Sequence, residues 1–313
     1  MKKTAFLFSG QGAQMPGMMK GLYEQYPESK EVFRLADEVL NRSIAKLTFE
    51  GTQEELNLTH NTQPCVLAAD LAAWKALLSY GIMPEAVAGF SLGEYAALVV
   101  AGSIGMEDAF RLIQKRADYM QEAVPVGKGA MAVIAAKSVW EVQELCDQAE
   151  GYVIPANLNC PGQTVVSGET DAVNEVVGLA KAGRIKAMLL PVSAPFHCDL
   201  LKSAAERLAT ALTDIVIKDP DLPVYMNVDG KAETDGATVV RKLVIQATSP
   251  VYWEETLRNM YEDGVRTFIE LGPGKTLSGF VKKTFKGYSN VEICRVSDVG
   301  TLLDTVEKMK RDG

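Results

Sequence analysis

No apolar run in this 313-residue sequence reaches the roughly 18 residues that a membrane span needs. The opening MKKTAFLFSGQGAQ breaks into polar and glycine residues too soon for a signal peptide, so a cytoplasmic location is expected. The five cysteines (Cys65, Cys146, Cys160, Cys198 and Cys294) are odd in number, scattered, and form no CxxC pair. Neither a disulfide framework nor a zinc site is supported. Basic residues are outnumbered, 32 Lys and Arg against 40 Asp and Glu, and a net charge of −8 argues against a general nucleic-acid binder. Low-complexity tracts are missing too, and 47% hydrophobic with 23% charged residues describes a globular chain rather than a disordered or fibrous one.

What is present is an alternation. Short β-rich runs, TAFLF (4–8), AVAGF (86–90), PVYMNV (223–228), RTFIEL (266–271) and VEICRV (291–296), are separated by helical patterns. The helical stretches fall near 61–79, 92–101, 106–124, 200–214 and 253–263. That rhythm predicts an α/β fold with a mainly parallel sheet. Between them, GAMAVIA, SVWEVQELCDQAE, YVIPANLN, QTVVSG, TDAVNEVVGLAKAG and AMLLPVS read as βαββαβ, the ferredoxin-like order. We therefore expect a large domain built from 1–126 and 196–313, an inserted subdomain at 127–195, and a ligand cleft between them.

Two glycine-rich stretches imitate nucleotide loops. In SGQGAQMPG the third glycine of a dinucleotide fingerprint would fall at position 15, which is Met15. In GPGKT (272–276) a phosphate loop would need glycine at position 269, where Ile269 stands.

AGFSLGEYAALVVAG (88–102) carries a G-x-S-x-G pattern centred on Ser91. Ser91 closes an apolar strand-like run and opens a helical one, the strand, sharp turn and helix of a nucleophile elbow. The helix N-terminus would present free N–H groups, notably that of Leu92, to a developing oxyanion. The plainer reading is a glycine turn that happens to hold a serine. A serine needs a base, and this chain has only two histidines. His60, in NLTHNTQP, reads as a surface or capping residue in a polar turn before a helix. His197, in PVSAPFHCDLL, falls where the inserted segment returns to the large domain, at the cleft edge.

The 106–124 helix adds an independent clue. At 100° per residue, Ala109, Phe110, Leu112, Ile113, Ala117, Tyr119 and Met120 share one face, with Arg111, Gln114, Lys115 and Asp118 opposite. Arg116 falls within the apolar face. A buried guanidinium needs an anion, either an internal carboxylate or the carboxylate of a substrate.

Taken together, FLFSGQGAQ, NTQPCVLAADLAAW, GFSLGEYAAL, KRADYMQ, GKGAMAVI, NCPGQTVVSG, APFHCDLL, QATSPVYW and ELGPGKTLSGF resemble, in order and spacing, the malonyl-CoA:acyl carrier protein transacylases. The resemblance implies an α/β hydrolase-like domain with a ferredoxin-like insertion. It implies that Ser91 carries malonyl as an ester, His197 is base and then acid, and Gln11 and the Leu92 N–H form the oxyanion hole. Arg116, Gln246, Phe196, Phe90, Gln63 and Asn159 are the implied substrate-side positions, with Arg116 on the malonyl carboxylate and the Gln246 backbone carbonyl steadying His197. Gln63 and Asn159 could equally serve core or turn packing. The implied partners are malonyl-CoA and an acyl carrier protein, in ping-pong order, with no metal or redox cofactor and with a monomer as the default state. One departure stands out: the family usually has histidine before the serine, and this chain has Phe90.

Two other classes compete. A serine esterase or thioesterase would share Ser91 and His197 but has no need of a buried cation. A non-enzymatic docking subunit would have no need of the reactive side chains. A polyketide assembly line could also be the destination of the acyl group. An acidic carrier docking on an acidic chain calls for a local basic patch, Lys181, Arg184 and Lys186 or Lys275, Lys282, Lys283 and Lys286, although ordinary solvated helix faces would look the same.

Overall fold

The computed structural model describes residues 3–125, 127–192 and 194–312. The strands are β1 (Lys3–Phe8), β2 (Ala86–Gly89), β3 (Gly129–Ile134), β4 (Val153–Cys160), β5 (Gln163–Glu169), β6 (Ala187–Leu189), β7 (Val224–Tyr225), β8 (Ala232–Glu233), β9 (Val265–Leu271) and β10 (Glu292–Val296). They form one sheet in the order β10-β9-β1-β2-β7-β8 and a second in the order β4-β5-β3-β6. The first is parallel except for the short β7/β8 pair, and the second is antiparallel throughout.

The apolar composition of β1 follows from burial on both faces. Phe6 and Phe8 enter one core cluster, whereas Ala5 and Leu7 enter the other. Phe8 lies opposite Gly89 on one side and Leu271 on the other, so β1, β2 and β9 end level. Loops that leave these carboxyl ends converge on one crevice, the usual place for a ligand in such sheets.

The helix Thr59–Leu78 is apolar all round and buried along most of its length, as an interior helix should be. Pro64 lies inside it and cannot donate to the carbonyl of His60. Arg42 Nη1 and Gln114 Nε2 donate to that carbonyl instead, at 3.3 and 3.2 Å. This corrects the expectation for His60: it belongs to the first helical turn rather than to a preceding loop.

The second sheet keeps Ala132, Ile134, Val153 and Val166 against the helices Val139–Gln148 and Thr170–Ala182. Its other face turns Met131, Val133 and Val165 to the crevice. The strand order and the two helices on one face are those of the ferredoxin-like unit. An isolated bridge from Asn157 to Val251 ties β4 to the rest of the chain. The expected boundary at Val126, and Ser193 in the expected run 187–193, lie outside the described residues.

Several elements differ from expectation. PVYMNV yields only the two-residue β7, because the Met226 N–H donates to Lys231 in a turn and Asn227 is drawn into other contacts. The 200–214 helix is a short 3₁₀ turn, Asp199–Leu201, followed by Lys202–Leu212. Further helices at Lys20–Gln25, Pro27–Leu40, Ile44–Glu50, Gln53–Leu56, Gly236–Gln246, Thr276–Thr284 and Val299–Asp312 complete the layers. GPGKT is the turn between β9 and Thr276–Thr284. The N–H groups of Leu277 and Ser278 donate to the carboxylate of Glu270 at 2.9 and 2.8 Å, so a side chain occupies the place a phosphate loop would keep for its ligand. No described helix is long and apolar enough to cross a membrane.

Candidate active site

Ser91 follows β2 with φ of +54°, a left-handed conformation that costs energy for a residue with a Cβ. The flanking glycines have a steric reason. A Cβ on Gly89 would lie 1.9 Å from the backbone of Gly93, and one on Gly93 would lie 2.4 Å from the carbonyl oxygen of Phe8. The turn is also held by side chains. The Ser91 N–H donates to Asn227 Oδ1 at 2.7 Å, Asn227 Nδ2 donates to the Gly89 carbonyl at 2.7 Å, and Gln246 Nε2 donates to the Ser91 carbonyl at 2.9 Å. Three hydrogen bonds of about 1 kcal/mol each are of the size needed to hold one strained residue.

His197, also at positive φ and only 2% exposed, comes from the loop after β6. Its Nε2 lies 2.8 Å from Ser91 Oγ and its Nδ1 lies 2.9 Å from the backbone carbonyl of Gln246. A carbonyl can only accept, so Nδ1 carries the hydrogen and Nε2 is left to accept from the serine hydroxyl. Burial, and then the cation of Arg116, lower the His197 pKa to about 4, which keeps the ring neutral and ready to take a proton.

Arg116 is 2% exposed and comes from the helix Met106–Ala123. Its Nη1 donates to Gln63 Oε1 at 2.8 Å, and its Nη2 donates to Gln246 Oε1 at 2.9 Å and Ser91 Oγ at 3.2 Å. The Nε–H has no acceptor among the described residues, and the guanidinium lies 5.6 Å from the Tyr95 ring centroid. Burial lowers its pKa from the ordinary arginine value.

These groups meet at a cavity of about 490 Å³. Ser91, His197, Arg116, Gln11, Gln63, Phe90, Phe196 and Asn159 line it. Gln246 and Leu92 do not: Gln246 stands behind the serine, which corrects its placement among the substrate-side residues and agrees with its expected hold on His197. The side-chain amide of Gln11 donates to Thr59 Oγ1 at 3.2 Å. Among the described residues, neither the Gln11 nor the Leu92 backbone N–H has an acceptor. Asn159 Oδ1 is buried without a partner there, and Gln63 Nε2 contacts Met120 Sδ. Phe90 stacks edge-on against Trp253, centroids 5.3 Å apart, and tilts over Phe280.

Residues 5–311 match the family of acyl transferase domains. The chain belongs to this family. It is 44% identical over its whole length to the malonyl CoA-acyl carrier protein transacylase of Bacillus subtilis, covering 99% of that protein. The Haemophilus influenzae protein of the same name is 43% identical over 96% of this chain and 97% of its own. The solved malonyl CoA-acyl carrier protein transacylase of Coxiella burnetii superposes with a TM-score of 0.94 at 39% identity, covering 98% of each chain. A malonyl-transacylase solved in complex with a type II PKS acyl-carrier protein superposes at 0.93, with 39% identity over 98% of this chain and 99% of that one.

Two residues of this acyltransferase site escaped the sequence reading. Asn227 sat inside a presumed strand and gave no signal. Glu94 did give one: it is a carboxylate in the apolar run LGEYAALVVAG, the same anomaly that marks Arg116. It is fully buried, its Oε2 accepts from Gln246 Nε2 at 2.6 Å, and its Oε1 accepts from the Asn227 N–H. Burial dominates and raises the Glu94 carboxyl to about 8, against these donors and Arg116, which pull it down.

Proposed function

We propose that this acyltransferase moves malonyl from malonyl-CoA to the phosphopantetheine thiol of an acyl carrier protein, supplying extender units for fatty acid synthesis. It acts as a cytoplasmic monomer without a metal or redox cofactor. The observation that carries the reading is the position of Arg116: a buried cation on the cavity wall, 3.2 Å from Ser91 Oγ, with no described carboxylate in contact. A monoacyl esterase has no use for such a group, whereas a three-carbon diacid has one carboxylate to offer it.

In the reaction, Ser91 Oγ attacks the thioester carbonyl carbon as His197 Nε2 takes the hydroxyl proton. The backbone N–H groups of Gln11 and Leu92 stabilise the oxyanion of the tetrahedral intermediate. The C–S bond breaks, His197 returns the proton to the coenzyme A thiolate, and malonyl remains as an ester on Ser91. The carrier thiol then attacks that ester after giving its proton to His197, and the proton passes to Ser91 Oγ as the C–O bond breaks. Apolar walls at Phe90, Phe196 and Leu277 help shelter the ester from water.

Docking of the carrier is best supported at Lys275, Lys282, Lys283 and Lys286. Thr276, Leu277 and Phe280 of the same segment line the cavity, and Lys283 Nζ donates to Gln163, another lining residue, at 2.9 Å. The Lys181, Arg184 and Lys186 cluster is exposed as well but contributes no cavity-lining residue.

The deciding experiment is intact mass after mixing with malonyl-CoA. The chain should gain one malonyl group, lose it to carrier protein, and gain none as Ser91→Ala. A chain that hydrolyses malonyl-CoA but never charges a carrier would be a thioesterase. A panel of fatty acid and polyketide carriers separates those two destinations.

A further inference from the structure

Among the described residues, the Arg116 guanidinium donates to Gln63 Oε1, Gln246 Oε1 and Ser91 Oγ, all uncharged acceptors. The buried carboxylate coupled to it, Glu94, stands one amide further back. Gln246 bridges the two, its Oε1 accepting from Arg116 at 2.9 Å and its Nε2 donating to Glu94 Oε2 at 2.6 Å. The Gln246 side chain stays off the cavity wall, and Arg116 is on it.

The orientation of that amide is dictated by its neighbours. Glu94 receives N–H donors on both oxygens, from Asn227 and from Gln246, and these donors together with Arg116 favour its charged form against the effect of burial. The Ser91 carbonyl accepts from the same Gln246 nitrogen. Nε2 must therefore face Glu94 and Ser91, which leaves Oε1 for the guanidinium. A carboxylate in direct contact would fill part of the arginine fork and oblige any substrate anion to compete for it. A cation with no anion near it would be costly to bury. The carboxamide between the charges meets both demands.

We propose that Glu94 and Gln246 are specificity-determining positioning residues: Glu94 supplies a countercharge through the Gln246 amide, which holds Arg116 in place yet leaves its guanidinium open to a substrate carboxylate. The inference rests on the malonyl-transfer reading. It predicts that diacid selectivity depends on the order carboxylate, amide, guanidinium, and that exchanging the first two destroys it.

The double exchange Glu94→Gln/Gln246→Glu tests this. It keeps one carboxylate and one carboxamide, lets the amide oxygen at 94 accept from Asn227 and its nitrogen donate to the carboxylate at 246, and preserves the backbone carbonyl that holds His197. Two readouts are compared with the parent chain: the thermal shift produced by free malonate, and the ratio of kcat/KM for malonyl-CoA over acetyl-CoA. Malonate should raise the Tm of the parent but not of the exchanged chain, and the ratio should fall at least tenfold. A malonate shift and a ratio equal to those of the parent would overturn the proposal. Should the double variant fail to fold, Glu94→Gln alone serves. One carboxamide cannot accept at both ends, so the malonyl-to-acetyl ratio should fall at least threefold, and an unchanged ratio in a folded protein overturns the proposal. Failure of the broader reading looks different: the parent would then transfer no malonyl, while malonate would still shift its Tm and not that of the exchanged chain.

Discussion

His197 Nδ1 lies 2.9 Å from the backbone carbonyl of Gln246, where a Ser-His-Asp triad would place a carboxylate. A carbonyl orients the ring and fixes its tautomer, but it gives an imidazolium less stabilisation than an anion would. Burial, and then the cation of Arg116, outweigh that hydrogen bond and lower the His197 pKa to about 4. The base is therefore in its working form across neutral and mildly acidic pH. We expect kcat/KM to lose its His197-dependent limb only below about pH 4, falling tenfold per unit there. Stability moves in the same direction earlier. An unfolded histidine titrates near 6.5, so between about 6.5 and 4 the unfolded chain binds a proton that the folded chain refuses, and stability drops as the pH falls. Returning acid-treated enzyme to neutral pH before assay separates the two effects; an activity limb near 6.5 that survives this control would contradict the assignment.

Arg116→Ala should cost about 10²-fold or more in malonyl transfer, the range for removing a buried charged contact to the reacting substrate. Relative activity with acetyl-CoA should rise, because no carboxylate is then needed to occupy the site. Parallel steady-state assays of both thioesters provide the check, and an equal loss with each would reject a role in diacid recognition.

Gly93→Ala should unfold the turn or the whole chain. Its added methyl would stand 2.4 Å from the Phe8 carbonyl oxygen and 2.7 Å from that of Ser9, both backbone atoms at the end of a central strand. Relief requires β1 and the helix Gly93–Val100 to separate, at a cost of about 3 kcal/mol or more. Urea denaturation gives the number, and a loss below 1 kcal/mol would mean the turn is looser than its contacts indicate.

Charge reversal at Lys282 and Lys283 should raise the apparent KM for carrier protein several-fold and leave the KM for malonyl-CoA nearly alone. The effect should shrink with added salt, since exposed charges are screened. Reversal at Lys181 and Lys186 is the comparison, and a larger effect there would move the docking surface to that side.

Phe90→His restores the residue usual in the family and should retain malonyl transfer, because the base is His197. It should nevertheless lower the Tm, since an imidazole packs less favourably than a phenyl ring against Trp253 and Phe280. A gain in stability would show that the aromatic cluster is not what selects phenylalanine.

Some of this was readable in the chain before any coordinates. Ser91 stood out because two glycines and a helical run fix a turn by local sterics, and Arg116 because a charge on an apolar face violates the helical period. The α/β rhythm and the βαββαβ order were legible for the same reason: hydrophobic period and turn residues act over short distances. Helices such as Gly236–Gln246 went unmarked, and β7 shrank to two residues because Asn227 was needed elsewhere.

What the chain alone determined, then, was the identity of the reactive groups and the local geometry around each. That His197 and Arg116 approach Ser91 Oγ to 2.8 and 3.2 Å was decided by tertiary structure, as was the place of Glu94 behind Gln246. The serine is separated from the base by 106 residues and from the glutamine by 155. No periodicity reaches across such separations, and only the level ends of β1, β2 and β9, with the loops that leave them, bring these side chains to one cavity.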